Sequence, residues 1–372
     1  MLLLLCWGVF CVQVGYIAWL LTGVPTHPPD AALETASGAV ADADMDSQPS
    51  GLLPVTVVVA LRNERNRLPA LAQALHRQTH PDLHIVWVND HSTDGTADWL
   101  EAHAAPQTQE HVVHHTGTPG KKHALDAGIQ AAPTELLAFT DADCTPPPTW
   151  LTIIARTHAA TQHDTILIGP SVMPDPHGLL QRLAGYETWT ANIAMLAAAQ
   201  HGAAYMAVGR SLSYPASVYE RAGGHHAHAH LLSGDDDLLV QAAREVGVPC
   251  RPLWSANAHV PTAAPTTWRR WLHGQRRHTS AARAYAIAPA LHISAYYGSA
   301  LLLYLAPLLV GSAGLGLLAL RTIGVGHLLH RAGALLQQSA PTLLFPVWDA
   351  VHTALRIGIS IAGVLAPPTR WG

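Results

Sequence analysis

Val55-Thr56-Val57-Val58-Val59-Ala60-Leu61-Arg62-Asn63-Glu64 changes character at a single residue: β-branched and aliphatic side chains run without a break as far as Leu61, and charge begins at Arg62. An apolar run of that length with no alternation predicts a strand buried on both faces. Three further runs read the same way, His84 to Asn89, Glu135 to Thr140 and Thr165 to Gly169. Between them lie helical patterns, such as Leu68, Leu71, Ala72 and Leu75 at spacings of three and four. Strand and helix in alternation predict an α/β fold, a doubly wound and mainly parallel sheet covered on both faces. Ligands bind such a sheet beyond the carboxyl ends of its strands. The residues that follow each run are therefore the ones to inspect.

They are chemically loaded. Arg62, Asn63 and Glu64 follow the first strand; Asn89-Asp90-His91-Ser92-Thr93-Asp94-Gly95 closes the second; Asp141-Ala142-Asp143 closes the third. Two carboxylates one residue apart at a strand end can share a hard cation, Mg²⁺ or Mn²⁺, whose remaining ligands a diphosphate supplies. The loop around Asp90 has an acid suited to a base edge or a ribose hydroxyl, although a well-capped turn needs the same residues. Lys121, in Gly120-Lys121-Lys122-His123-Ala124-Leu125, offers a cation to phosphate, or is simply solvated at a helix start. Ser233-Gly234-Asp235-Asp236-Asp237 stacks three acids ahead of an apolar helix pattern. Some of them would cap that helix; a carboxylate whose pKa is raised by its neighbours also suits a general base, and Asp236 is the choice.

These motifs, in this order, resemble the family 2 glycosyltransferases with a GT-A fold, over about Pro54 to Arg283, and within them the membrane-bound group similar to ceramide glucosyltransferase and cellulose synthase. The resemblance implies an inverting transfer from a nucleotide-diphosphate sugar, a UDP-sugar by preference, to a lipid or glycan acceptor. It implies Arg62, Glu64, Asp90, Asp94, Lys121, Asp141 and Arg277 at the donor, Asp141 and Asp143 at the metal, and Asp235 with Asp236 at the catalytic step. Met206-Ala207-Val208-Gly209-Arg210-Ser211-Leu212 looks like the strand and turn under the acceptor site, or is a plain core strand, and Gly209, Arg210 and Gly234 are the acceptor-region candidates. One motif departs from the family. Where membrane-bound synthases carry Gln-x-x-Arg-Trp, this chain has Gly274-Gln275-Arg276-Arg277-His278, with glycine in place of glutamine and histidine in place of tryptophan. That shifts the expectation from a processive polysaccharide synthase to single transfer.

Outside the sheet the chain carries more apolar sequence than one domain can bury: 49% of its 372 residues are hydrophobic. Leu2 to Leu21 has no charge, and a membrane anchor is preferred over a cleaved signal because no basic residue precedes it and no small-x-small site closes it. Tyr297 to Leu320 is uncharged, and Thr342 to Ala366 carries only Asp349 and Arg356, which could stabilise each other along one helix face. Between them, the stretch with Gly324, His327, His330 and Arg331 reads as a polar connector or a short interfacial helix. The expected organisation is a membrane helix over 1–24, an acidic Pro/Ala linker over 25–52, a catalytic domain over 53–262, an amphipathic interfacial region over 263–295, and two or three membrane helices over 296–372. Arg269, Arg270, Arg276, Arg277 and Arg283, just ahead of the later spans, place the catalytic domain in the cytoplasm of a multi-pass protein.

A net charge of −4 argues against nucleic acid as a partner. The four cysteines lack framework spacing, so no disulfide is expected. The 25 histidines raise a rival, a non-enzymatic membrane protein that binds or transports metal. His225, His226, His228 and His230 are read as compositional drift, with His230 kept as a candidate third metal ligand because it lies nearest Asp235.

Overall fold

The computed structural model describes residues 1–26, 52–104, 109–161, 164–174, 177–337 and 344–366. Most of the expected acidic linker, the first two residues of the expected segment Thr342 to Ala366, and residues 367–372 of the expected C-terminal membrane region lie outside the described residues.

Helix α1 (Leu2–Gly23) precedes the sheet. There follow β1 (Val55–Leu61), α2 (Leu68–His76), β2 (Leu83–Asp90), α3 (Thr96–His103), β3 (Glu110–His115), α4 (Lys121–Ala131), β4 (Leu136–Phe139), α5 (Trp150–Ala160), β5 (Ile166–Ile168), β6 (Ser171–Val172), α6 (Gly178–Gln200), β7 (Leu212–Pro215), α7 (Ala216–Arg221), α8 (Asp237–Glu245), β8 (Cys250–Pro252) and β9 (Val260–Pro261). Among the described residues the main sheet has seven strands in the order β3-β2-β1-β4-β7-β5-β8, all parallel to their neighbours except β7.

Every residue of β1 is buried, as its unbroken apolar run predicts. One face packs Val58 and Ala60 into the core under α4 and α6, and the other packs Val57, Val59 and Leu61 against Leu68, Leu71 and Leu75 of α2. Leu61 pairs with Asn89 and Val58 with Phe139, so the ends of β1, β2 and β4 arrive at one edge. Strand β3 escaped the sequence reading because none of its residues is fully buried and it carries His111, His114 and His115 in place of an apolar run.

The strand expected over Met206 to Leu212 is a correction. The strand begins at Leu212, where that stretch ends, and the backbone before it is irregular. The amides of Ala207 and Gly209 donate to the carboxylates of Asp237 (3.0 Å) and Asp236 (2.9 Å), so neither is free for a sheet ladder.

Helix α9 (Trp268–Ser280) lies in the expected interfacial region, with the Thr267 hydroxyl accepting from the Arg270 amide at its start. Its two tryptophans part company: Trp268 is exposed, whereas Trp271 is buried with Met173, Leu183 and Ile359. Then come α10 (Ile287–Val310), α11 (Ser312–Leu336) and α12 (Phe345–Leu365). Among the described residues α1, α10 and α11 are long and apolar enough to cross a membrane.

Three expectations about this region change. The uncharged stretch Tyr297 to Leu320 is not one helix, because Gly311 at φ +58° breaks it, and Gly314 lets the next helix start against the Ala306 carbonyl, where a Cβ would meet the oxygen at 2.2 Å. The supposed connector from Gly324 to Arg331 is the interior of α11, with Arg331 donating to the Val24 carbonyl at 2.6 Å. Asp349 and Arg356 do not pair with each other. Seven residues along a helix separate them by about 10 Å, so each reaches a neighbouring helix. Asp349 meets Arg321, Tyr304 and Tyr186, while Arg356 meets Glu187 (3.3 Å) and Gln275 (3.0 Å).

Candidate active site

The loops after β1 and β2 are laced together by their own polar side chains. The Asn63 side chain accepts from the Thr93 amide (2.8 Å), its own amide donates to Ser92 (3.0 Å), and the Glu64 amide donates to Thr96 (2.9 Å). Asn63 and His91 adopt left-handed backbone, at φ +57° and +55°, at the two points where the strands turn away. Asp94 accepts from the Thr96 hydroxyl (2.6 Å), the Thr96 amide (3.0 Å) and the Arg65 amide (3.1 Å). Burial would raise this carboxyl, but those hydrogen bonds outweigh it and hold the group below the usual range. Asp94, expected at the donor, thus staples the two loops.

Asp90 is fully buried beneath them. One oxygen accepts from the Gly120 amide (2.9 Å), the other faces His91 Nδ1 (2.9 Å), and the Arg62 guanidinium lies 3.8 Å away. The first turn of α4 is thereby tied to the β2 loop.

Lys121, the next residue, reaches in the other direction. Its ammonium is 3.1 Å from Asp141 and 2.9 Å from Asp235, joining the strand-end acid to the acidic loop before α8. Burial would lower its pKa, but Asp141 and Asp235 outweigh that and raise it. Burial would raise Asp141, and Lys121 and Arg210 pull it down. Arg210 donates to the Thr262 hydroxyl (3.2 Å) and lies in the field of Asp143 and Asp141. Glu64 feels the same acids: burial chiefly raises its carboxyl, Asp143 and Asp141 add to that, and Arg67 at 2.9 Å opposes them. The Cys144 thiol is pushed up to about 12, by burial and then by Asp143 and Asp141, so it stays protonated and offers no soft ligand.

Two adjacent carboxylates are shifted in opposite directions. Asp235 is held well below the usual range, because Lys121 overcomes the cost of burial. Asp236 is pushed up to about 6, first by burial and then by Asp235 beside it. Asp236 also caps α8: one oxygen accepts from the Asp237 amide (2.8 Å) and the other from the Gly209 amide (2.9 Å). Gly234, at φ +84°, gives the loop its turn, and a Cβ there would meet Leu238 at 2.8 Å. At Gly209 a Cβ would come within 3.4 Å of Lys121 Nζ and 3.5 Å of Asp235. Lys121, Asp141, Gly209, Asp235 and Asp236 line one cavity floored by Phe139, Leu212 and Tyr214.

The remaining candidates divide. Arg277 lies in the last turn of α9, and His278 beside it is exposed. Gln275 does not stand in for the missing motif glutamine: it turns away to Glu187 (2.9 Å) and Arg356. His230 is exposed, and among the described residues no group of three His, Cys, Asp or Glu side chains is placed to hold a metal ion. Sequence reasoning missed Asp126, Tyr219 and His225, which meet beneath the acidic loop. Nothing in their spacing links them.

The donor set at Asp141 and Asp143 is two carboxylates with a protonated thiol beside them. It suits a hard cation that completes its shell with phosphate oxygen and water, and lacks the donors a thiophilic metal needs.

Residues 56–183 match the family described as Glycosyl transferase family 2. That stretch is a family 2 glycosyltransferase domain. Across 93 residues the chain is 36% identical to 4,4'-diaponeurosporenoate glycosyltransferase of Staphylococcus aureus, a match covering 24% of each protein. Across 89 residues it is 32% identical to EpsH of Bacillus subtilis, covering 24% of this chain and 26% of that one. The glycosyltransferase domain therefore matches about a quarter of the length of these curated relatives. The likeness in fold runs further. The mannosyltransferase PcManGT of Pyrobaculum calidifontis, in complex with GDP-Man and Mn²⁺, aligns with a TM-score of 0.54 over 96% of this chain and 99% of that one, at 19% identity.

Proposed function

We propose that this chain is a membrane-anchored, inverting glycosyltransferase that moves a sugar from a nucleotide diphosphate, a UDP-sugar by preference, to a hydroxyl of a lipid or membrane-associated glycan. The observation that carries the reading is the split between Asp235 and Asp236. Lys121 keeps Asp235 ionised, whereas Asp236, at about 6, is a base near neutrality that can hold the proton it takes.

The acceptor hydroxyl gives its proton to Asp236 as its oxygen bonds to the anomeric carbon from the face opposite the diphosphate. The bond from that carbon to the diphosphate oxygen breaks, the electron pair leaves with the nucleotide, and the configuration inverts. Asp90, beneath the loops, suits the nucleoside, and Arg62 beside it suits an anionic or ribose oxygen. Asp141 and Asp143 would hold a divalent cation, which supplies a counter-charge to the departing diphosphate. Lys121, Arg210 and Arg277 add fixed positive charge on the same side. Release of the nucleoside diphosphate is thereby favoured without a proton donor to the leaving group.

A lipid acceptor is supported by the apolar surfaces of α1 and α10, where Leu4, Trp7, Ile287, Leu291 and Leu308 are exposed. The arginines of α9 favour a cytoplasmic catalytic side. The rival metal-transport reading fares worse, because Asp349 is engaged by Arg321 and is no free ligand. Detergent-purified full chain with Mn²⁺, offered a panel of UDP- and GDP-sugars and membrane lipid extract, should release nucleoside diphosphate and form a glycosylated product. No donor binding and no turnover with any nucleotide sugar would sink the proposal.

A further inference from the structure

Of the four histidines in His225-His226-Ala227-His228-Ala229-His230, one is buried, and it is not a metal ligand. His225 is 2% exposed and lies under the acidic loop. Its Nδ1 is 2.6 Å from a carboxylate oxygen of Asp126, and its Nε2 is 3.1 Å from the backbone carbonyl of Asp235. Tyr219 donates to the same Asp126 oxygen, and the His225 amide donates to the Tyr219 hydroxyl at 3.2 Å.

The donor count fixes what this arrangement can be. A carbonyl oxygen only accepts, so the ring must carry a proton on Nε2. Nδ1 then meets the Asp126 carboxyl, and one further proton lies between them. Burial would raise Asp126, but its hydrogen bonds with His225 and Tyr219 outweigh that and hold its carboxyl below the usual range. Among the groups facing the ring, only Asp126 carries a formal negative side-chain charge in direct contact; Tyr219 is held protonated, and Lys122 points to the His228 carbonyl at 2.7 Å. Two side chains of α4 thus clamp the histidine segment, Asp126 at His225 and Lys122 at His228. The same helix sends Lys121 to the carboxylate of Asp235. Asp235 is therefore gripped twice from one rigid element, through its side chain by Lys121 and through its backbone by way of Asp126 and His225.

We infer that His225, oriented by Asp126 and Tyr219, is a positioning residue: its Nε2–H bond to the Asp235 carbonyl fixes the loop that presents Asp235 to Lys121 and Asp236 to the acceptor. The inference rests on the proposed transfer reaction for its kinetic consequence, and on geometry alone for its structural one. Without that bond the loop from Gly234 to Asp236 keeps its side-chain contacts but loses its backbone tether, so the base drifts while the nucleotide loops, held by their own lacing, do not.

The test uses the full chain in detergent with three proteins: wild type, His225→Ala and His225→Gln. A glutamine amide nitrogen falls near the place of Nε2 and can donate to the same carbonyl, but does not meet Asp126. In His225→Ala, kcat should fall roughly 10- to 100-fold, the range for a misplaced reacting group, with KM for the UDP-sugar used as donor within about threefold of wild type. Amide hydrogen exchange in the peptide covering 233–239 should quicken by about tenfold or more, as a locally loosened segment does. His225→Gln should restore most of both. A His225→Ala protein equal to wild type in kcat and exchange overturns the inference, as does a His225→Gln protein no better than His225→Ala. Because exchange is read without substrate, a loosened loop in a protein that turns over no nucleotide sugar would defeat the proposed reaction and leave the positioning role standing.

Discussion

Replacing Lys121 by methionine keeps the length of the side chain and deletes the one ammonium that joins Asp141 to Asp235. The two contacts, 3.1 and 2.9 Å, lie in a site where Lys121 is 18% and Asp235 10% exposed. At that spacing and an effective dielectric constant of 20, each attraction amounts to about 5 kcal/mol before desolvation. Removing the lysine also recovers its own desolvation, so the net loss is smaller, about 3 kcal/mol, and most of it is the cost of leaving acids buried together. For a domain of this size that is a drop in Tm of roughly 6 to 12 °C at about pH 8. The pH dependence has a definite sign. With Lys121 present, Asp141 and Asp235 sit below their unfolded value of 3.8, so the stability they contribute is present above that value and is lost as pH falls through their folded values. Without Lys121 the crowded acids accept protons above it, and acid stabilises the variant. The gap between the two proteins should therefore narrow at about pH 5. Thermal unfolding of detergent-solubilised wild type and Lys121→Met at both pH values measures it. A gap that is absent at the higher pH, or equal at both, would refute the role given to this lysine.

Asp236→Asn should reduce transfer by about a thousandfold or more, as loss of a general base does, while isothermal titration shows the UDP-sugar still bound. In wild type, kcat/KM should be present above about pH 6 and fall as pH drops through it, because the raised Asp236 is then protonated and cannot accept; a profile flat to pH 5 contradicts the assignment. Asp141→Asn should raise the Mn²⁺ concentration for half-maximal donor binding by about tenfold, and unchanged metal dependence places the cation elsewhere. Arg321→Met should destabilise the helical region by about 3 to 5 kcal/mol by leaving Asp349 buried and unpaired. The double variant with Asp349→Leu should recover part of that Tm loss.

Much of this protein was legible in its sequence, and the reason is local. A strand buried on both faces must be apolar throughout, and a catalytic loop at its end must be polar at once, so the change at Arg62 and the acids at Asp141 and Asp143 announce themselves. The mainly parallel sheet and the acid at Asp90 followed from the same alternation. Strand β3 did not, because a half-exposed edge needs no apolar run, and the break at Gly311 did not, because a glycine in an apolar stretch does not reveal its φ.

What the sequence could not decide is which charged groups meet. Lys121 between Asp141 and Asp235, His225 between Asp126 and the Asp235 carbonyl, and Arg321 opposite Asp349 each join residues that tens or hundreds of positions of chain keep apart. The carboxylates of Asp235 and Asp236 are the same residue type in adjacent positions, and composition gives them one pKa. Only the fold, by giving one of them a lysine and leaving the other buried beside its neighbour's charge, moves the two apart.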